Sequence, residues 1–418
     1  MRTLVRSNRF AGAARALGVT LGSALAVVLV SFTFVSSARA SSVFAVGGLG
    51  EPSLDESARL RALGGAGAAE FGPTAYSMIN PASIAEARFL SLEATMLSTR
   101  RSISTTSFGS ETAYETAFPS VRLVVHLPGR LVLGGSYLEG TNAGFEIFRP
   151  ESLGTPSLLH ITGAGGLNYV RVTLARRMSS RLRVGTDFEV IGGSYREEWV
   201  RTFQTPLLLA ARDTLETSWD RLGRWRFGLQ YGGERFSIGG AYETGRRVPA
   251  TFVQRTAGSE VRTRGDFTIP EGYVAGFNLG LGARSRVVGQ YRRQNWNDES
   301  LKSDFVDFRA EERFSLGFEK QPLGFGSTLH KLPLRIGATY LCWPDLLPFG
   351  GNPDVTNGVA HLDEWAVSIG TGIRTPDRGG TVDASFEGGS RGDEATLGAR
   401  ETFFRLAISV KVSDSTWK

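Results

Sequence analysis

From Phe89 onward, apolar and polar residues alternate with period two, the pattern of strands that keep one apolar and one polar face. Leu90, Leu92, Ala94 and Met96 point one way, and Ser91, Glu93 and Thr95 the other. The pattern recurs: Val121, Leu123, Val125 and Leu127 oppose Arg122 and His126, and Leu182, Val184, Phe188 and Val190 oppose Arg183, Asp187 and Glu189. Near the end, Phe404, Leu406, Ile408, Val410 and Val412 oppose Arg405, Ser409 and Lys411. Segmentation gives about fourteen strands, beginning near residues 89, 119, 131, 166, 181, 217, 235, 272, 286, 311, 332, 363, 380 and 401. Most run about ten residues or longer, the length of a tilted strand that crosses a bilayer.

The connections alternate as well. Short turns fall at Pro128-Gly129, Ser179-Ser180, Gly232-Gly233-Glu234 and Ala283-Arg284-Ser285, and longer polar loops at 98 to 118, 148 to 165, 202 to 216, 254 to 271, 297 to 310, 342 to 362 and 390 to 400. Outer-membrane barrels have short periplasmic turns and long external loops, so this order predicts both termini in the periplasm. The connection 320 to 331 is longer than its place among the short turns requires. A soluble β-sandwich or propeller also alternates, but its strands are nearer five or six residues.

The amino terminus sets the compartment. Arg2, Arg6, Arg9 and Arg15 precede an apolar run from Leu17 to Val35 and then Ala38-Arg39-Ala40, which reads as a secretory signal over residues 1 to 40 with maturation at Ser41. An uncleaved anchor is the other reading of the long apolar run. The chain has 47 Lys and Arg against 41 Asp and Glu, and the five arginines of residues 1 to 40 leave 42 against 41, or +1. That balance does not argue for nucleic acid. After the signal no segment approaches ~20 uninterrupted apolar residues, so a membrane span has to be a closed barrel.

Charge and aromatic placement agree. Arginine facing lipid at mid-bilayer costs about 2–4 kcal/mol, and these arginines lie opposite the apolar series, which puts them in the lumen. Six tryptophans (199, 219, 296, 343, 365 and 417) fall near predicted strand ends or beyond them, where interface rings sit, while Trp225 lies mid-strand. In a polar lumen Asp187 and Glu189 are partners for Arg183, Arg226 or Arg292, although two carboxylates on one face also suit glycosidic chemistry.

Other chemistry finds no constellation. The single Cys342 excludes a disulfide framework and a cysteine zinc site, and His126, His160, His330 and His361 are scattered without ligand spacing. No G-x-S-x-G elbow, P-loop or G-x-G-x-x-G occurs. The chain therefore reads as no enzyme, with no cofactor and no metal.

Between signal and barrel lies Arg61 to Ala85, with Arg61-Ala62-Leu63-Gly64-Gly65-Ala66-Gly67 and then Asn80-Pro81-Ala82. Gly64, Gly65 and Gly67 permit close backbone approaches, and Asn80-Pro81 ends one local structure and starts another. This pattern resembles the N-terminal hatch signature of the FadL-type outer-membrane transporters of fatty acids and other hydrophobic compounds. A second resemblance is Arg400 to Val410 followed by Trp417, which looks like that family's closing strand, although the chain ends one residue later at Lys418. The two motifs cover about one tenth of the chain. A plain surface loop is the other reading of the glycine cluster.

The resemblance implies an all-β fold, a transmembrane antiparallel β-barrel of about fourteen strands, with residues 41 to 88 as a hatch or plug in the lumen and residues 89 to 418 as the barrel. On this reading Leu63, Phe71, Tyr76, Met78 and Ile79 line the hatch for a ligand, and Arg183, Asp187, Glu189, Arg226, Arg292 and Arg405 make a luminal polar network. The resemblance further implies a hydrophobic small molecule or lipid as partner, leaving sideways into outer-membrane lipid at a kinked third strand. That strand carries Gly134, Gly135, Gly140 and Gly144, for which simple packing is the other explanation. The expected compartment is the outer membrane of a diderm bacterium. The alternative function is an outer-membrane scaffold or secretion-associated shuttle that binds other proteins.

Overall fold

The computed structural model describes residues 42–45, 50–54, 56–70, 72, 76–87, 90–105, 109–151, 155–205, 208–233, 235–256, 258–296, 309–322, 332–346, 361–374 and 379–414. The signal segment, Phe71, His330 and Trp417 lie outside these residues. The wall is a closed antiparallel barrel of fourteen staves. They are β1 (Leu90–Thr105), β2 (Gly109–Leu127), β3 (Leu131–Glu139 with Phe145–Glu151), β4 (Ser157–Arg177), β5 (Leu182–Phe203), β6 (Ala211–Gly232) and β7 (Phe236–Glu243 with Arg246–Thr256). The rest are β8 (Ser259–Ile269 with Gly272–Gly280), β9 (Ser285–Gln294), β10 (Glu311–Lys320), β11 (Leu334–Leu346), β12 (His361–Arg374), β13 (Gly380–Asp393) and β14 (Ala399–Asp414). β14 pairs back onto β1, with Val410 opposite Ala94 and Val412 opposite Leu92, so no open edge is left at the seam.

The two faces sort as the alternation requires. Val172, Phe188, Phe227, Leu316 and Leu406 are exposed on the outside, whereas Arg122, Arg171, Arg183 and Arg226 are buried within. A girdle of outward aromatics, Tyr242, Tyr273, Tyr291, Tyr340 and Trp365, runs across adjacent strands, with Tyr242 opposite Tyr273 and Tyr340 opposite Trp365. Three girdle hydroxyls donate to carboxylates: Tyr242 to Glu271 (2.5 Å), Tyr291 to Glu312 (2.7 Å) and Tyr340 to Asp363 (2.6 Å). Trp219, Trp296 and Trp343 instead face inward and are buried, contrary to their expected interface role. Replacing Leu406 by Arg puts a charge into the apolar band and is expected to lower stability by about 2–4 kcal/mol in denaturant unfolding from lipid vesicles.

Several strands run further than their apolar alternation. β2 begins at Gly109 rather than near 119, β4 at Ser157 rather than near 166, and the segment predicted as a loop at 254 to 271 is mostly strand in β7 and β8. Outside hydrocarbon the outward positions no longer need to be apolar, as Arg196, Glu198, Arg212 and Glu216 on β5 and β6 illustrate. The period-two signal disappears there while the backbone ladder continues.

The breaks inside β7 and β8 leave one continuous register, since Glu243 opposite Gly272 is followed by Arg246 opposite Ile269. The break in β3 does not. Glu139 lies opposite Asn168 and Phe145 opposite Gly163, so five residues (140–144) face four (164–167). β2 follows β1 up to Gly109, but its pairing with β3 covers only Ser120–Leu127 among the described residues. The wall is thus split between the far half of β2 and the second half of β3. Pro119 sits in a bulge of β2 where the split begins, and Pro150 lies in β3 beyond it. Proline donates nothing to a ladder, so these positions discourage the two edges from pairing.

Candidate functional site

The hatch enters from the amino-terminal side at the β3 break. Glu51 and Pro52 pair with Asn142 and Thr141, and the Ser53 amide donates to the Gly140 carbonyl at 3.0 Å. After Ser57 the turn α1 (Ala58–Arg61) closes on Gly64 and Gly65, whose φ values of 67° and 81° lie in the left-handed region. The Ala58 amide donates to Ser409 Oγ on β14 at 2.7 Å, tying this turn to the closing strand. The chain then passes through Ala66–Glu70 to the turn at Asn80-Pro81 and the 3-10 segment Pro81–Glu86.

Where hatch backbone touches wall, the wall supplies glycines opposite one another on neighbouring strands. Gly185 on β5 faces Gly228 on β6, and a Cβ on either would stand 2.1–2.5 Å from Asn80 Oδ1 or Pro81. Gly317 on β10 faces Gly337 on β11, and a Cβ there would stand 2.1–2.7 Å from Leu63 or Gly64. A third pair, Gly239 and Gly276, flanks Ala68. The period-two pattern does not single out these glycines, and their common task shows only where the hatch meets the wall. The available signal was glycine at one level of several strands.

Polar side chains fix the backbone between these seats. Gln290 Oε1 accepts from the amides of Gly67 (2.9 Å) and Ala68 (2.8 Å), while Gln230 Nε2 donates to the carbonyls of Ala68 (3.0 Å) and Glu70 (2.8 Å). Arg226 donates to the carbonyls of Met78 (3.1 Å) and Ile79. Asn80 does three things: its Oδ1 accepts from Ala82 N (3.0 Å), and its Nδ2 donates to Ala68 O (2.8 Å) and Leu229 O (3.1 Å). Asn80→Ala orphans these buried groups and is expected to cost about 1–3 kcal/mol, read as faster proteolysis and amide exchange of the hatch than of the barrel.

Ion pairs latch both ends. Glu51 pairs with Arg101 (2.7 Å), Arg391 (3.1 Å) and Arg405 (2.6 Å), and Arg405 also reaches Glu364 (3.0 Å) and Glu387 (2.6 Å). Further along, Glu70 pairs with Arg59 (3.3 Å) and Arg286 (2.7 Å), which share Glu319. Glu86 pairs with Arg183 (2.5 Å), and Glu56 with Arg122 (3.4 Å).

The sequence-derived site residues separate into these roles. Arg183 holds the hatch through Glu86 rather than pairing with Asp187 or Glu189, whereas Arg226 does reach Asp187 (3.2 Å) and Glu189 (3.9 Å). Glu189 is taken mainly by Arg171 and Arg224, and Arg292 pairs with Glu243 (3.6 Å). Gly134 and Gly135 lie in the regular ladder of β3, opposite Val124 and Leu123, while Gly140 and Gly144 bracket the break. Gly140 leaves room for the Tyr169 ring, 2.4 Å from where a Cβ would stand.

Leu63, Tyr76, Met78 and Ile79 are buried between hatch and wall, not along an open passage. Leu63 packs with Leu60 and Val288, Tyr76 with Val124, Val132 and Ala175, and Ile79 with Ala241 and Val274. Beside the latch is a cavity of about 50 Å³ bordered by Leu54, Leu97, Ala117, Glu139, Asn142 and Leu341. Benzene occupies an apolar cavity of about 150 Å³, so this space admits water and no hydrocarbon ligand as it stands. Among the described residues no group of His, Cys, Asp and Glu is placed to hold a metal ion.

A family model described as BamG matches residues 22–235. A comparison with curated proteins found no match. Among solved structures the chain is similar to a Pseudomonas aeruginosa FadL homologue (12% identity, 88% of this chain, 100% of that one, TM-score 0.59). It is similar to the Ralstonia pickettii toluene transporter TbuX (14%, 86% and 99%, TM-score 0.56) and to the Pseudomonas putida toluene transporter TodX (13%, 88% and 99%, TM-score 0.54). At these identities the likeness is one of fold, a FadL-type barrel.

Proposed function

The chain belongs to the BamG family and has the FadL-type fold, and from that premise we propose that it is a passive outer-membrane channel for hydrophobic compounds, closed by its own hatch and emptied sideways through the wall. The observation that carries this reading is the split between β2 and β3 with the Glu51–Pro52 strand seated in its break. The split opens at Pro119 and the 140–144 break, where the apolar band ends, and strand edges left bare against hydrocarbon there have no water to bond, so the opening is costly unless something covers it. Here the cover is a two-residue strand held by the Glu51 ion pairs, and the prolines at 119 and 150 keep the edges from closing on their own. Fourteen strands enclose more room than wall side chains fill, so the hatch accounts for the closed state.

An apolar ligand gains about 25 cal/mol per Å² of surface shielded from water, and it loses nothing on passing from an apolar wall into hydrocarbon. No cofactor or energy source enters this scheme. The toluene transporters with the same fold support the ligand class. On this reading the protein resides in the outer membrane of a diderm bacterium, with the short turns and both termini in the periplasm. The test is uptake of radiolabelled toluene into liposomes that carry the purified protein. Flux equal to that of protein-free liposomes ends the proposal. Crosslinking in native membranes that traps a stable protein partner on residues 98 to 118 or 342 to 362 would favour a scaffold instead.

A further inference from the structure

On the long-loop side of the hatch, β3 to β9 turn an apolar cluster inward, including Ile161, Tyr169, Trp219, Phe267 and Trp296. It rests on the charged group of Arg171, Arg224, Arg226 and Arg292 with Asp187, Glu189 and Glu243. Tyr169 joins the two, since its ring lies over the guanidiniums of both Arg171 (5.4 Å) and Arg224 (5.8 Å). Resting on the channel reading above, we infer that this cluster, on parting, prefers an aromatic ring bearing a conjugated oxygen acceptor, a carbonyl or carboxylate, over the bare hydrocarbon.

Three unspent donors carry the inference. Trp219 Nε1, Gln294 Nε2 and Arg224 Nη1 have no hydrogen-bond partner among the described residues, and their residues are only 9%, 4% and 2% exposed. They belong to one patch. Arg224 Nη2 donates to Glu243 Oε2 at 3.1 Å, and that oxygen and Gln294 Cγ both lie 3.6 Å from the position of a Cβ on Gly272. Trp296 is two residues beyond Gln294, its ring is 6.0 Å from Phe267, and Phe267 is 5.8 Å from Trp219.

Two of the neighbouring carboxylates, Glu189 and Glu243, are already engaged. Glu189 takes Arg171 and Arg224, and Glu243 takes Arg224, Arg226 and Arg292. A hydrocarbon entering here leaves the three donors unmet, whereas an oxygen acceptor satisfies at least one at roughly 1 kcal/mol net. The ring has a place as well. The aromatic trio is tilted rather than stacked, with interplanar angles of 48° and 41°. Contacts on two faces need roughly 7 Å between the flanking rings, so a parting of about 1 Å admits a planar guest.

The experiment is calorimetric titration of the purified full chain in detergent with toluene, benzaldehyde and benzoate. Benzaldehyde or benzoate is expected to bind roughly fivefold or more tightly than toluene. In the double variant Trp219→Phe, Gln294→Met, which keeps apolar bulk and removes two of the donors, the ratio is expected to fall, with Arg224 Nη1 left to hold a residual preference. Equal binding by the unaltered protein overturns the inference, as does no binding of any of the three or a preference undiminished in a folded double variant. Toluene flux in liposomes without an acceptor preference sinks this inference alone, while absent flux sinks the channel reading.

Discussion

A chain lacking residues 61 to 85 is expected to form a water-filled pore, visible as stepwise ion conductance in planar bilayers where the intact protein conducts little. The wall closes on itself through β14 and β1 without help from the hatch. Deletion uncovers Gln290, Gln230, Arg226 and Arg286, which now bond to atoms of the deleted segment. Exposed to an aqueous lumen these groups find water, so the barrel keeps its ladders while the lumen opens. Toluene uptake should change in the same preparation. A deletion that leaves conductance at the intact level would show that the hatch is not what closes the lumen.

Removing one residue from the β3 break is expected to have the opposite effect. Deletion of Ala143 makes four residues face the four of 164–167, so the Glu139–Asn168 register runs on through Phe145. Phe145 keeps its inward direction, as does Leu138 before the break, because the deletion restores the parity that the extra residue disturbed. The second half of β3 then loses its bend, and the seat of Glu51 and Pro52 goes with it. Toluene uptake should drop to that of protein-free liposomes, with strand content by circular dichroism unchanged. Undiminished uptake by a folded deletion variant would place the exit elsewhere.

The parts of this molecule differ in how far the chain alone discloses them. The outward face of β14 reads directly from Phe404, Leu406, Val410 and Val412, because hydrocarbon imposes apolar residues at every second position. The Arg61–Ala85 motif likewise marks a segment that must bend closely. Beyond the hydrocarbon the rule lapses, so the outer ends of β2, β4, β7 and β8 were read as loops. Trp219 and Trp296 turn inward because an aromatic ring near a strand end suits an interface or an inward cluster equally, and for Trp219 the bulge of β6 opposite Gly192 decides between them.

Which face of each strand meets lipid, the inward turn of the charges and the glycine-rich segment ahead of the wall are all written in the chain. These are local properties, fixed by a period of two and by the cost of charge in hydrocarbon. Which guanidinium holds which carboxylate, the grip of Arg183 on the hatch and the glycine pairs that seat it emerge from the folded barrel alone. Such contacts join residues far apart, as with Ala58 and Ser409, separated by 351 positions. Their geometry depends on how many staves close the barrel and on one extra residue in β3, neither of which any short stretch of chain contains.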